Sequence, residues 1–148
     1  MVLRYPSGSA RNRRRDSLCS MAGEREIVDA AGAPAAVGPY SHAVRTGGLL
    51  FCSGQIPLDP RSGELVGETP AEQARRCLQN LSEVCAAAGT SLAQAVHLTI
   101  YTTRLSAFAE INEVYGSFFE QSPPARAAVG VAELPKGALV EIDAVVAV

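Results

Sequence analysis

Between Thr69 and Gly89 the sequence specifies one helix from start to stop, and that helix constrains what the rest of the chain can build. Thr69-Pro70-Ala71-Glu72 offers an N-cap hydroxyl, proline at the first helical position and a glutamate three residues after the cap, the pattern of a capping box. Ala74, Leu78, Leu81, Cys85 and Ala88 then recur at spacings of four and three, so one stripe is apolar, and Gly89 supplies the stop. A helix apolar on one side only must lie on another apolar surface.

The flanking sequence provides that surface as strands. Ile27-Val28 predicts a short first strand, and Ala31 to Gly38, rich in Ala, Gly and Pro, predicts a loop. Pro39 to Val44 enters a second strand, Gly47-Gly48 makes a two-residue hairpin turn, and Leu49 to Ser53 is a continuous apolar run. Gly54-Gln55-Ile56-Pro57 leaves that strand, and Asp59 to Gly63 forms a surface turn. After the helix, Val96, Leu98 and Ile100 alternate with His97, Thr99 and Tyr101, which predicts a strand. Ser106 is the expected cap of a second helix that buries Phe108, Ile111, Tyr115 and Phe118 and ends at Pro123-Pro124. A strand through Arg126, a Leu134-Pro135-Lys136-Gly137 turn and a last strand from Leu139 to Val148 complete the order β-β-β-α-β-α-β-β. Such an order predicts a two-layer α+β fold, a mixed β-sheet with two α-helices on one face. Glu141 and Asp143 share one side of the last strand, opposite Val140, Ile142, Ala144 and Val146. With Ala128 and Gly130 they are expected on the open sheet face, which is either solvated or packed against another copy. An oligomer is the favoured expectation, because open sheet surfaces and edges invite partners.

At 148 residues one domain is expected, spanning 23–148. Residues 1–22 read as a disordered basic extension without hydrophobic periodicity, in which five arginines (Arg4, Arg11, Arg13, Arg14, Arg15) face only Asp16. That stretch weakly resembles an organellar transit peptide or a basic nucleic-acid arm, but Met21 as the native start is the preferred reading. The remainder holds eight basic and fourteen acidic side chains, a balance that repels polyanions and argues against a nucleic-acid surface on the domain. No apolar run reaches the length of a membrane span. Cys19, Cys52, Cys77 and Cys85 form no CxxC and have no histidine at zinc-like spacing, so buried thiols in a reducing, cytoplasmic compartment are expected, without a metal.

Candidate site residues are scattered. Ser122-Pro123-Pro124-Ala125-Arg126-Ala127-Ala128 places one guanidinium on a strand face otherwise bare of side chains, a fork matched to a small carboxylate or phosphate, or else an ordinary edge arginine. Tyr40 is either a rim residue or a phenol over a pocket. Ser53 either caps its strand end or faces a ligand. Asn112 sits at the margin of the second helix's apolar stripe, where it could reach inward. Glu141 is either a solvated strand carboxylate or the acid that holds a water near Arg126. His42 and His97 are expected to face outward.

Taken in order, Gly38-Pro39-Tyr40-Ser41, Ser53-Gly54-Gln55-Ile56, Asn112-Glu113-Val114-Tyr115 with Phe118-Phe119, Pro124-Ala125-Arg126-Ala127-Ala128, Leu134-Pro135-Lys136-Gly137 and Val140-Glu141-Ile142 resemble the RidA (YjgF) family of imine and enamine deaminases. The resemblance runs from about Ile27 to Val148. It implies a chorismate-mutase-like fold and a homotrimer with clefts between subunits. The implied reaction is hydrolysis of 2-aminoacrylate-type enamines and their imines, 2-iminopropanoate and 2-iminobutanoate, to 2-oxo acids and ammonia, without cofactor or metal. In that frame Arg126 would hold the substrate carboxylate, Glu141 would position or activate water, the backbone near Ala128 would orient it, and Tyr40, Ser53 and Asn112 would shape the pocket. Many relatives have cysteine where this chain has Ala128, and glutamine is common where it has His42. A non-catalytic module for small carboxylates and an RNA-directed role are the alternatives.

Overall fold

The computed structural model describes residues 23–148; the basic extension and Cys19 lie outside the described residues. Six strands form one mixed sheet: β1 (Glu26–Val28), β2 (Ala43–Thr46), β3 (Leu49–Gln55), β4 (Ala95–Thr102), β5 (Ala125–Gly130) and β6 (Val140–Ala147), in the order β1-β2-β3-β6-β4-β5. All pairings are antiparallel except β4 with β5. Two helices, α1 (Pro70–Ala87) and α2 (Phe108–Gly116), cover one face; α1 packs on β3 and β6, and α2 packs on α1. The expected α+β architecture and element order are those observed.

The local signals account for most of this. Thr69 accepts the Glu72 amide at 3.2 Å while Glu72 accepts the Thr69 amide at 3.2 Å, closing the capping box. At the other end Thr90 N–H reaches the Cys85 carbonyl and Gly89 N–H that of Ala86, with Gly89 at φ 76°. The alternation of β6 divides its side chains cleanly: Val140, Ile142, Ala144 and Val146 are buried under the helices, and Glu141, Asp143 and Val145 face the open side. Cys52, Cys77 and Cys85 are free and buried in the same core.

Four local expectations are corrected. Strand β2 begins at Ala43, not Pro39, because Tyr40 N–H closes a tight turn on the Gly38 carbonyl. His42 is buried, not outward, its ring held by the preceding loop. Ser106 does not cap the second helix: it lies inside a 3-10 turn (Leu105–Ala107), and Ala107 precedes α2 without a side-chain cap. Helix α2 ends at Gly116, well before Pro123-Pro124, and the chain then turns on hydrogen bonds from Ser117, Phe118 and Phe119 amides.

Candidate active site

The candidate residues fall into two groups. Tyr40, Ser53 and Glu141 line one cleft of about 220 Å³, rimmed by apolar Val37, Ile56 and Pro135. Ser53 lies where β3 bulges: Cys52 stands opposite Ala144 and Gln55 opposite Ile142, so Ser53 and Gly54 together oppose Asp143. Its hydroxyl donates to the Ser41 carbonyl at 2.6 Å, which leaves the oxygen free to accept. The Tyr40 oxygen accepts the Val37 amide at 3.2 Å, so its own proton remains free to donate. The bulge also lets Glu141 approach the neighbouring backbone. A side chain at Gly54 would run into the Glu141 carboxyl, whose Cδ would lie 3.0 Å from the added carbon. Glu141 is half-buried, and burial first, then the charge of Asp143 on the same strand face, pushes its carboxyl above the ordinary glutamate value. A carboxylate so placed is a competent proton acceptor for a water.

Arg126 lies elsewhere. Its guanidinium stacks over the rings of Tyr115 and Phe108, 4.7 and 5.3 Å from their centroids, and one amino group donates to Asn112 Oδ1 at 2.6 Å. The fork is therefore oriented by α2 while Arg126 itself stays exposed, with donors left for an anion. Tyr115 is buried, its hydroxyl without a partner among the described residues, and burial pushes its phenol up against the opposing effect of Arg126.

The sheet separates these groups. Arg126 stands level with Leu98 of β4, which stands opposite Ala144 of β6, and both are buried against the helices. Glu141 stands opposite Tyr101, which is level with Val129, on the other face. Residues level across neighbouring strands share a face. Arg126, Ala128 and Gly130 thus belong to the helix side, where Gly130 lies against Leu105, and not to the open face beside Glu141 and Asp143 as expected. In one chain the pleat keeps Glu141 from holding a water near Arg126. Two supporting features escaped sequence reading: the buried His42 in the cleft wall, and Asn80, whose amide donates to the Ile56 and Leu58 carbonyls beneath the cleft. A polar residue between Leu78 and Leu81 on the apolar stripe was the available signal for Asn80.

Comparison with known proteins gives this arrangement a context. A family model described as Endoribonuclease L-PSP matches residues 30–148. A RutC family protein of Sinorhizobium fredii is 50% identical over 121 residues, covering 82% of this chain and 96% of the relative. A Bos taurus protein named 2-iminobutanoate/2-iminopropanoate deaminase is 45% identical over 121 residues, covering 82% and 88%. The crystal structure of RidA from the Antarctic bacterium Psychrobacter sp. superposes with a TM-score of 0.80 at 41% identity, over 83% of this chain and 99% of that one. The chain belongs to the RidA family. In this RidA chain the residues that the resemblance singles out are all present, divided between the two sheet faces. Among the described residues no helix is long and apolar enough to cross a membrane, and no three His, Cys, Asp or Glu side chains cluster as a metal site would require.

Proposed function

We propose that this RidA chain hydrolyses 2-imino acids, and the enamines that tautomerise to them, to 2-oxo acids and ammonia, at sites completed between subunits of a homotrimer. The observation that carries the reading is the complementarity of the two half-sites: among the described residues, a pre-oriented guanidinium has no acid beside it, and a half-buried carboxylate lies in a cleft without a cation. The deaminase name of relatives near 45% identity supports the same chemistry. The open sheet face supports assembly. Ile27, Val44, Phe51 and Val145 stand in register across β1, β2, β3 and β6, an apolar row with Phe51 46% exposed.

The residues suggest the steps. Arg126 binds the substrate carboxylate as a fork, held in place by Asn112 and the aromatic rings beneath it. Glu141 of an adjoining subunit takes a proton from water as its oxygen attacks C2 of the iminium. The resulting carbinolamine collapses when Glu141 returns that proton to nitrogen: the C–N bond breaks, ammonia departs, the hydroxyl proton passes back to the Glu141 carboxylate, and the 2-oxo acid remains. Tyr40 donates and Ser53 accepts within the cleft, and the Ala128 backbone on the unpaired edge of β5 helps to orient the water. The C=N carbon is already electrophilic, so positioning and acid–base help supply the acceleration.

A coupled assay tests this. Threonine or serine dehydratase generates the imine, semicarbazide traps what survives, and the adduct is followed. The chain should lower trapping and Arg126→Ala should not. If wild type and variant trap alike while 2-oxobutanoate still binds, the non-catalytic carboxylate module replaces the deaminase.

A further inference from the structure

His42 is 6% exposed in the wall of the cleft, and both its ring nitrogens are engaged. Nε2 lies 2.8 Å from the Pro34 carbonyl, which can only accept, so Nε2 carries a proton. Nδ1 lies 3.1 Å from the Ala30 amide, which can only donate, and 2.8 Å from Asp29 Oδ1. The Asp29 side chain is 91% exposed, whereas the Ala30 contact is buried. Nε2 thus donates to Pro34, while Nδ1 faces both a donor, the Ala30 amide, and an acceptor, Asp29 Oδ1.

All three partners belong to the segment 29–40, which supplies Pro34, Ala35, Val37 and Tyr40 to the cleft. Within that segment Ala30 and Ala33 are buried, but Val37 and Tyr40 bond chiefly to each other and to Gly38. The ring therefore ties the wall to β2, one residue before the strand begins. Ser53 is reached from the same residue, since the Ser53 amide donates to the His42 carbonyl at 2.9 Å. Both sides of the cleft mouth converge on one position.

We infer that His42 is a positioning residue that pins the 29–40 segment and sets substrate affinity through Tyr40, leaving the chemical step to other groups. The kinetic part of this inference rests on the deaminase reading; the structural part does not. Glutamine carries a donor for the Pro34 carbonyl and an acceptor for the Ala30 amide on one planar group, and so should replace histidine here. Leucine keeps the volume and offers neither. Asparagine can meet Ala30 but is too short to hold Pro34.

The test is the full chain with His42→Gln, His42→Leu and His42→Asn, read by the coupled assay and by amide hydrogen exchange across residues 29–40. Leucine should raise KM about tenfold, the loss of a well-made buried hydrogen bond, with kcat within about twofold, and should speed exchange in the segment. Glutamine should hold both near wild type. Should leucine unfold the chain, asparagine serves in its place with the same expected KM and exchange. The inference is overturned if the leucine or asparagine variant keeps wild-type KM and exchange, if glutamine is as impaired as leucine, or if the loss falls on kcat. A wild type that turns over no imine removes the deaminase reading, and the exchange comparison alone then decides whether His42 pins the wall.

Discussion

Replacing Gly54 by alanine adds a single carbon at the point where β3 bulges toward Glu141. That carbon would lie 3.0 Å from Glu141 Cδ and 3.2 Å from Cγ, both tight contacts, and nearer still to Oε1, where it would overlap. The backbone cannot retreat without undoing the pairing of Gln55 with Ile142, so the glutamate must swing away. Overpacking a rigid core costs about 1–3 kcal/mol, and because the Glu141 end is half-buried and flexible, the cost should fall near ~1 kcal/mol. For a domain of this size that is a Tm shift of roughly 3–5 °C. Activity should suffer far more. A misplaced general base forfeits about 10²–10⁴ in rate, so Gly54→Ala should approach Glu141→Gln in kcat while remaining folded. Calorimetry and the coupled imine assay measure the two effects on the same sample. The double variant carries the logic further, since Gly54→Ala should cost nothing more once Glu141 is already Gln. A folded Gly54→Ala protein with wild-type kcat, or one whose loss repeats in full on the Glu141→Gln background, would refute the reasoning.

Asn112→Ala removes the 2.6 Å bond that orients Arg126 but leaves the aromatic stack, so the Kd for 2-oxobutanoate by calorimetry should rise about fivefold, ~1 kcal/mol for one exposed charge-assisted bond. Glu141 must be ionised to act as a base, so the rate should fall as pH drops through its pKa; Asp143→Asn removes a repelling charge and should move that acidic limb to lower pH. The same shift has a stability sign: ionising Glu141 in the fold is penalised above its folded pKa and costs nothing below the ordinary glutamate value, so Glu141→Gln should be the more stable protein at pH 7 and lose that advantage in acid. Inactive Arg126→Ala and Glu141→Gln proteins, unfolded together and refolded as mixed trimers, should recover about a quarter of wild-type activity, because each mixed ring rebuilds one site in three. No recovery would place both residues' function within one chain.

What the sequence made legible was whatever is written locally. Thr69, Pro70 and Glu72 act within a few residues of one another, Gly89 acts on the turn just before it, and the alternation of β6 needs no knowledge of its neighbours, so both are legible in the sequence. The face of Arg126 was not legible, because alternation along β5 says which residues group together but not which face they join. That depends on the parallel register that sets Arg126 beside Leu98, a pairing made between segments 28 residues apart. The burial of His42 escaped for a similar reason. Its partners Asp29, Ala30 and Pro34 come from a loop whose path no periodicity describes. The end of α2 was marked by Gly116 itself, but the prolines further on were the louder signal. The helical stripe marks Phe108 and Tyr115 as core, which they are in part; that the same rings also support a cation requires the strand to be in place.

The division of the candidate site between two sheet faces changes what the domain is for. Within one chain nothing from Arg126 offsets the charge of Glu141, and the guanidinium of one subunit brought to the acid of another would draw that glutamate's pKa down. Here the carboxylate feels burial and a like charge, while the guanidinium is held by a neutral amide and two rings. The uncovered row from Ile27 to Val145 supplies a reason for two copies to meet that is independent of the reaction. Under the proposed assembly, the free energy of hiding that row is also what brings the cation of one subunit to the acid of another. Association then does the positioning that an enzyme with a single-chain site must build into its own core.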